Sequence, residues 1–548
     1  MRVFGITAGF RVVWVAACAG CLFYAMTAKA DDALTVKTAD GKVHGKVSQD
    51  GQVRTFLGIP YAAPPVGALR WKAPQPAEKW SGVREATEFG NRCIPQNAFP
   101  DMHYRDPGPS EDCLTLNVWT PAKNKKAKLP VMVWIYGGGF TAGTTSEPRQ
   151  DGEHLATKGV IVVSMNYRLG IFGFLALPGL AIESADHAAG NYGLMDQTAA
   201  LEWVKKNIAA FGGDPKNVTI FGESAGSISV SAQMASPMAK GLFAHAIGES
   251  GGAFPGPHGP LFKSLADAEM ENAAYAAKAF GTADVGALRA MSADELLAKI
   301  KAAAESHTEG GRFWPDVDGH FMPEPVSLIY QEGKQAHIPL LAGWNRDEPS
   351  ATVARYPQPA TVQSFTEMAQ KEFGDRAAEF LQLYPAATDA EAVRSTIDFA
   401  GNNFITFATW EWLEAQVATG DAPVYRYHFE RPSPEDKFHA AGSGAFHSDE
   451  IEYVFGTLDS RIGATWQPED RKLSDLIETY WTNFARTGNP NGGNAGPDAP
   501  LPSAGGVPTW PQYDEKGGWQ VMHLDVDSHA GPDTERARDL FLKSVWLK

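Results

Sequence analysis

An apolar run, Val218-Thr219-Ile220-Phe221, passes directly into Gly222-Glu223-Ser224-Ala225-Gly226. From there the chain enters the helix-compatible Ser227-Ile228-Ser229-Val230-Ser231-Ala232-Gln233-Met234. A G-x-S-x-G sequence in a strand–turn–helix context constrains the fold more than any other stretch of this chain. Glycines two residues before and two after the serine remove Cβ atoms that would clash in so tight a turn. The serine hydroxyl is thereby exposed at a helix N-terminus, where the dipole favours developing negative charge. Two further apolar, β-rich runs, Val131-Met132-Val133-Trp134-Ile135-Tyr136 and Val160-Ile161-Val162-Val163-Ser164, lack polar alternation. Such runs suit strands covered on both faces, as in a parallel or mixed sheet flanked by helices. Before the Val218 run, Leu201, Val204, Ile208 and Phe211 mark one helical face, with Gly212-Gly213 as its stop. Strands alternating with helices give an α/β class with a large, mostly parallel central sheet.

The five-residue pattern occurs twice. Gly248-Glu249-Ser250-Gly251-Gly252 satisfies it too, but Ala253-Phe254-Pro255-Gly256-Pro257 follows and cannot start a helix. Ser224 is therefore the expected nucleophile. A serine hydroxyl needs a base and an oxyanion hole. Gly137-Gly138-Gly139-Phe140, at the end of the first β-rich run, offers closely approaching backbone N–H groups, joined by that of Ala225. Gly137-x-Gly139-x-x-Ala142 also fits a dinucleotide-binding fingerprint, but Gly143-Thr144-Thr145-Ser146-Glu147-Pro148 offers no helix to receive a pyrophosphate.

Met1 to Ala30 reads as an export signal: Arg2 and Arg11, an apolar stretch from Val12 to Met26, and Ala28-Lys29-Ala30 before Asp31. An uncleaved anchor and lipoprotein processing at Cys18 are the alternatives. The mature chain is then expected to be exported, periplasmic or secreted, without stable membrane insertion. It keeps two cysteines, Cys93 and Cys113, which in an oxidising compartment read as one disulfide; two buried free thiols are the alternative. Closing that loop would contribute on the order of 3 kcal/mol. No repeat or linker divides residues 31–548, which read as a single domain, and the Pro- and Gly-rich Gly488 to Pro508 reads as a surface loop. The net charge of −16 argues against a nucleic-acid partner. The one dense basic run, Lys123, Lys125, Lys126 and Lys128, reads as a solvated turn. No His/Cys cluster has metal-ligand spacing, and no cofactor is expected.

Further segments carry a resemblance. Gly58-Ile59-Pro60-Tyr61-Ala62, Glu111-Asp112-Cys113-Leu114-Thr115-Leu116-Asn117, Asn166-Tyr167-Arg168-Leu169-Gly170, Asn191-Tyr192-Gly193-Leu194-Met195-Asp196-Gln197 and Phe211-Gly212-Gly213-Asp214-Pro215 span nearly the whole mature chain. Together with the Ser224 turn they resemble the type-B carboxylesterases, the carboxylesterase and cholinesterase branch of the α/β-hydrolases. The resemblance implies that fold and a Ser-Glu-His triad acting on a small-molecule ester through an acyl-enzyme. It implies His447, in Phe446-His447-Ser448-Asp449-Glu450, as the base rather than His439. It implies Glu348, in Gly343-Trp344-Asn345-Arg346-Asp347-Glu348, as the acid, with Asp347 the adjacent alternative. Pro349 stands where the family usually has glycine and biases Glu348 toward extended backbone angles. Gly138, Gly139 and Ala225 would form the oxyanion hole, and Ser250 would support the acid. An amidase or carbamate hydrolase with the same triad is the alternative activity. A non-catalytic binding protein is the alternative class, although all three triad positions keep competent side chains.

The same comparison bears on substrate. Cholinesterases carry a tryptophan inside their first disulfide loop that stacks on a quaternary ammonium. Here Ile94 to Asp112 contains Phe99, His103, Tyr104 and Arg105 but no Trp, so a choline ester is not the expected substrate. Bulky aromatics are replaced by Glu309-Gly310-Gly311-Arg312 before Phe313-Trp314-Pro315-Asp316, which implies a more open acyl pocket with a cation nearby. Arg312 would then accept bulky or carboxylate-bearing acyl groups, as in relatives that act on fumonisin-type toxins; the alternative is an Arg312 that faces solvent or pairs with Glu309. The oligomeric state is not set by the sequence.

Overall fold

The computed structural model describes residues 34–97, 99–349, 359–493 and 507–547. The export signal and the centre of the Gly488–Pro508 loop lie outside the described residues. Among the described residues an 11-stranded sheet organises the chain. Its strands are β1 (Lys46–Val47), β2 (Arg54–Pro60), β3 (Thr115–Thr120), β4 (Leu129–Ile135), β5 (Ile161–Met165), β6 (Gly213–Glu223), β7 (His245–Glu249), β8 (Leu340–Asn345), β9 (Val424–Phe429), β10 (Gln520–Leu524) and β11 (His529–Pro532). Across the sheet they run β1-β2-β3-β5-β4-β6-β7-β8-β9-β10-β11. From β5 to β10 every neighbour is parallel. Both flanks are antiparallel, so the expectation of a mostly parallel sheet holds for its centre.

The central strands explain their own composition. Every residue of β5 and β8 is buried, as is β4 after Leu129, so no face is left for polar alternation. The expected helix is α1 (Tyr192–Asn207), which tightens into a 3₁₀ turn over Ile208–Phe211 and ends on Gly212 at φ 96°. Leu201, Val204, Ile208 and Phe211 are all buried on it. Gly213 already belongs to β6, which is longer than the Val218–Phe221 run that marked it.

α2 (Ala225–Ala235) is buried along its whole length despite three serines. Their hydroxyls are satisfied: Ser227 donates to the Gly251 carbonyl at 2.6 Å, Ser229 to Ala225 at 2.8 Å and Ser231 to Ile228 at 3.1 Å. A buried hydroxyl without a partner would cost about 1–3 kcal/mol. Two of the family-like segments meet in a buried ion pair. Arg168 grips Asp196 through Nε and Nη2, both at 2.7 Å. Glu111 is gripped in the same two-pronged way by Arg70. One connected set of buried apolar side chains reaches from Val36 to Leu542. The basic run from Lys123 to Lys128 lies exposed, as expected of a solvated turn.

Candidate active site

Ser224 sits between the last residue of β6 and the first of α2, with φ 56° and ψ −120°. That left-handed backbone is costly for a residue with a Cβ and is held by its surroundings. The Ser224 N–H donates to the Glu249 carbonyl on the neighbouring strand at 2.9 Å. A Cβ on Gly222 would lie 2.5 Å from the Ile135 carbonyl oxygen, and one on Gly226 would fall inside the same oxygen. The two glycines are therefore needed for the close approach to β4.

The second G-x-S-x-G lies alongside the first. β6 and β7 pair in parallel with Gly222 opposite Gly248 and Glu223 opposite Glu249. Ser250 leaves its strand with φ 53°, nearly the Ser224 value, and its N–H donates to the Gly343 carbonyl at 2.9 Å. The two serines thus leave adjacent strands with nearly the same positive φ. Only Ser224 is followed by a helix. Ser250 is fully buried, and its hydroxyl donates to Glu348 Oε1 at 2.5 Å.

The structure brings Ser224, His447 and Glu348 into one line. Ser224 Oγ lies 2.9 Å from His447 Nε2, and His447 Nδ1 lies 2.6 Å from Glu348 Oε2. The other Glu348 oxygen accepts from Ser250 and, at 2.8 Å, from the Asn345 N–H. The His447 N–H donates to the Glu348 carbonyl at 3.1 Å, tying the two segments by backbone as well. Glu348 reaches His447 despite Pro349, because three separate donors fix its carboxylate. Asp347 is turned elsewhere. It accepts from the Ala445 N–H at 2.9 Å and pairs with Arg346 and Arg394. His439 is also set apart, bonded to Asp436 at 2.9 Å and stacked on Phe446.

Two carboxylates that the motifs did not single out shape the electrostatics. Glu223 Oε1 lies 3.1 Å from His447 Nε2, with its side chain 4% exposed. Burial disfavours the charged imidazole, but Glu223 and Glu348 outweigh it and push the His447 pKa up to about 9. Burial likewise pushes Glu223 up to about 7, against the pull of His447 and Arg149. Glu249, bonded to Trp481 Nε1 at 2.8 Å, is pushed by burial up to about 8. Behind them Glu450 accepts from Asn345 Nδ2 at 2.5 Å, and burial raises its pKa well above the usual carboxylate range. The sequence held one signal for Glu223 and Glu249: each fills the same variable position of a repeated Gly-Glu-Ser.

Gly138 and Gly139 take φ 100° and 61°, which turns the loop after β4 beneath Ser224. A Cβ on the preceding Gly137 would come within 3.0 Å of the Ser224 Cβ. Among the described residues, the N–H groups of Gly138, Gly139 and Ala225 donate to no protein acceptor. Phe140 packs edge-on against Trp314 at 4.9 Å, and the Arg312 guanidinium lies 4.0 Å above that indole. Among the described residues Arg312 makes no ion pair with Glu309 or any other carboxylate.

Cys93 and Cys113 form the expected disulfide. The loop it closes reaches the site: the Gln96 and Asn97 N–H groups donate to the Thr141 carbonyl at 2.8 and 3.2 Å, and Gln96 Nε2 to the Gly311 carbonyl at 2.9 Å. On the opposite side a π-helical turn, Asn402–Thr406, joins α3 (Asp389–Gly401) to α4 (Phe407–Thr419). It presents Phe404, half exposed, edge-on to the His447 ring at 4.9 Å. Nothing in the local sequence marks that aromatic.

Comparison with known proteins places these features in context. The Carboxylesterase family model matches residues 32–540. The chain is 36% identical over 524 residues to a fumonisin B1 esterase of Sphingopyxis macrogoltabida, covering 92% of this chain and 89% of that protein. It is 36% identical over 530 residues to the para-nitrobenzyl esterase of Bacillus subtilis (strain 168), covering 92% and 98%. A solved PNB esterase structure superposes with a TM-score of 0.76 at 34% identity, covering 93% of this chain and 99% of that one.

Proposed function

This chain belongs to the carboxylesterase family, with the α/β-hydrolase fold, and is a carboxylic ester hydrolase; on that premise we propose that it works through a Ser224–His447–Glu348 triad and an acyl-enzyme. The observation that carries this reading is the unbroken line from Ser224 Oγ through the imidazole to Glu348. His447 Nε2 takes the hydroxyl proton as Ser224 Oγ attacks the ester carbonyl carbon. Glu348 holds the imidazole in the tautomer with a proton on Nδ1 and stabilises the imidazolium. The N–H groups of Gly138, Gly139 and Ala225 receive the oxyanion. The C–O bond to the alcohol then breaks, with His447 Nε2 returning its proton to the departing oxygen. Water, deprotonated by the same nitrogen, releases the acid and frees Ser224. Ser250 acts only through Glu348, as a positioning residue.

For substrate, we infer that the acyl side accepts bulky or carboxylate-bearing groups. Arg312 supports this: although exposed, it is stacked on Trp314 and free of a carboxylate partner among the described residues. A relative that acts on fumonisin B1 supports it independently. In the disulfide loop Arg92 already covers Tyr104 at 4.6 Å, which disfavours a quaternary ammonium over that ring. The Cys93–Cys113 disulfide is in keeping with export through the signal read at residues 1–30.

A serine-directed organophosphonate tests the triad. It should add a single adduct, on the peptide containing Ser224, and Ser224→Ala should abolish ester turnover. An adduct on Ser250 would overturn the assignment.

A further inference from the structure

Three strands across the sheet from β6, β9 and the β10/β11 hairpin, distant from it in sequence, place imidazoles side by side. In the parallel pair β9/β10 His428 stands opposite His523, and in the antiparallel pair β10/β11 His523 stands opposite His529. Paired positions project from the same face of a sheet, and so does Glu430, two residues beyond His428. His428 Nδ1 lies 2.9 Å from Glu430 Oε1, and His523 Nδ1 lies 2.7 Å from the same oxygen. The three donor atoms all lie within 4.8 Å of one another.

Two imidazole nitrogens and a carboxylate oxygen form the donor set of zinc and similar divalent transition-metal ions. With metal–ligand bonds of about 2.0–2.2 Å in a tetrahedral arrangement, such donors stand roughly 3.3–3.6 Å apart around the ion. The observed nitrogen–oxygen spacings need to open by roughly 0.4–0.9 Å, a rotamer-scale adjustment, with loss of the two Nδ1 protons. The surroundings suit such a site. His428 is buried, its ring set edge-on against Trp344, and its Nε2 faces Glu535 Oε1 at 4.0 Å, an outer carboxylate that can orient the ring. His529 stacks on His523 at 5.1 Å, and its own Nδ1 is bonded to the Asp527 carbonyl, so it braces the ligand ring from outside the donor set. The side chains of His523 and Glu430 are 18% and 24% exposed, which leaves an entry path from solvent.

We propose that His428, His523 and Glu430 bind one divalent transition-metal ion of the zinc class, fastening β9 to β10 where the chain sets out toward His447. The site is structural: its donors close on the ion from two neighbouring strands, the nearer of them three strands across the sheet from β6.

The test uses the untagged full chain, stripped with a chelator and desalted, then titrated with zinc chloride. Bound zinc is measured by competition with a chromophoric indicator, and thermal melting is followed in parallel. One zinc per chain is expected, with a rise in Tm. His523→Ala and the near-isosteric Glu430→Gln should each weaken binding tenfold or more and remove the rise in Tm. His439→Ala and His447→Ala should retain full binding. Wild-type affinity in both site variants, loss of zinc in His447→Ala, or no stoichiometric binding to the parent chain would each overturn the proposal. A cooperative melt of each variant in zinc-free buffer certifies its fold, and the conservative glutamine decides the matter if the alanine variant fails that check.

Discussion

Glu223 Oε1 stands 3.1 Å from His447 Nε2, the nitrogen that also faces Ser224. Nearby anions hold the proton on His447, raising its pKa to about 9 against burial, while burial raises Glu223 to about 7. The two groups gain and lose protons as a pair. In the proposed mechanism the reactive base is the neutral imidazole, so kcat/KM should rise with pH and level off only above the value for a free imidazole, about 6.5. Glu223→Gln removes one anion, lowers the His447 pKa and moves the rising limb to lower pH. At pH 6 the variant should keep a larger fraction of its plateau kcat/KM than the parent. A pH–rate profile checks this; an unmoved midpoint would contradict it.

Ser250 gives Glu348 a short hydrogen bond to a charged acceptor. Bonds of that kind contribute about 1.5–3 kcal/mol. Ser250→Ala should therefore lower kcat about tenfold or more with little change in KM, while organophosphonate labelling of Ser224 persists more slowly. Steady-state kinetics and peptide mapping of the same variant read both effects.

Glu348 and Asp347 are adjacent, yet only Glu348 touches the imidazole. Glu348→Gln should cost about 10⁴ in kcat, the scale seen when a triad acid is made neutral. Asp347→Asn removes the carboxylate that Arg346 and Arg394 share, leaving Arg394 only Asp398, and should lower the urea midpoint with a much smaller effect on kcat. The reverse pattern would exchange the two assignments.

Arg312 should discriminate among acyl groups. Arg312→Ala is expected to lower kcat/KM roughly tenfold or more for esters whose acyl part carries a carboxylate, and to leave neutral esters nearly unchanged. Equal losses on a matched pair of substrates, or none on either, would remove Arg312 from acyl selection.

Cys93–Cys113 closes the loop that holds the Thr141 carbonyl, two residues beyond Gly139 of the proposed oxyanion hole. Replacing both cysteines by serine should cost about 3 kcal/mol in stability. Activity should also fall under conditions where the chain is still folded, because Gln96 and Asn97 no longer fix that loop. Denaturant unfolding and kcat measured on one preparation separate the two effects.

What was legible in the sequence was local. The Ser224 turn announces itself because its glycines, its strand and its helix are contiguous, and α1 shows its buried face at helical spacing. Resemblance supplied His447 and Glu348, which no spacing links to Ser224. The carboxylate beside His447 was hidden in plain view, since Glu223 fills a position where the motif demands nothing. Glu249 becomes its neighbour only through the β6/β7 register. His428, Glu430 and His523 were illegible for the same reason: a chain separation of 93 residues between Glu430 and His523 collapses to one step across a sheet. Phe404 depends on a π-helical turn that positions one ring and leaves no periodic trace.

The ladder between β7 and β8, from Ala246 opposite Leu340 to Glu249 opposite Gly343, is also a seam in the chemistry. Everything before it supplies the hydroxyl and the receptive amides; everything after it supplies the carboxylate and the imidazole. A chain severed at the exposed His258 would yield two pieces, each with half of the reacting groups and one edge of the same ladder. Ester turnover would then require the pieces to zip together along that edge, which makes the seam a natural place to build a split reporter.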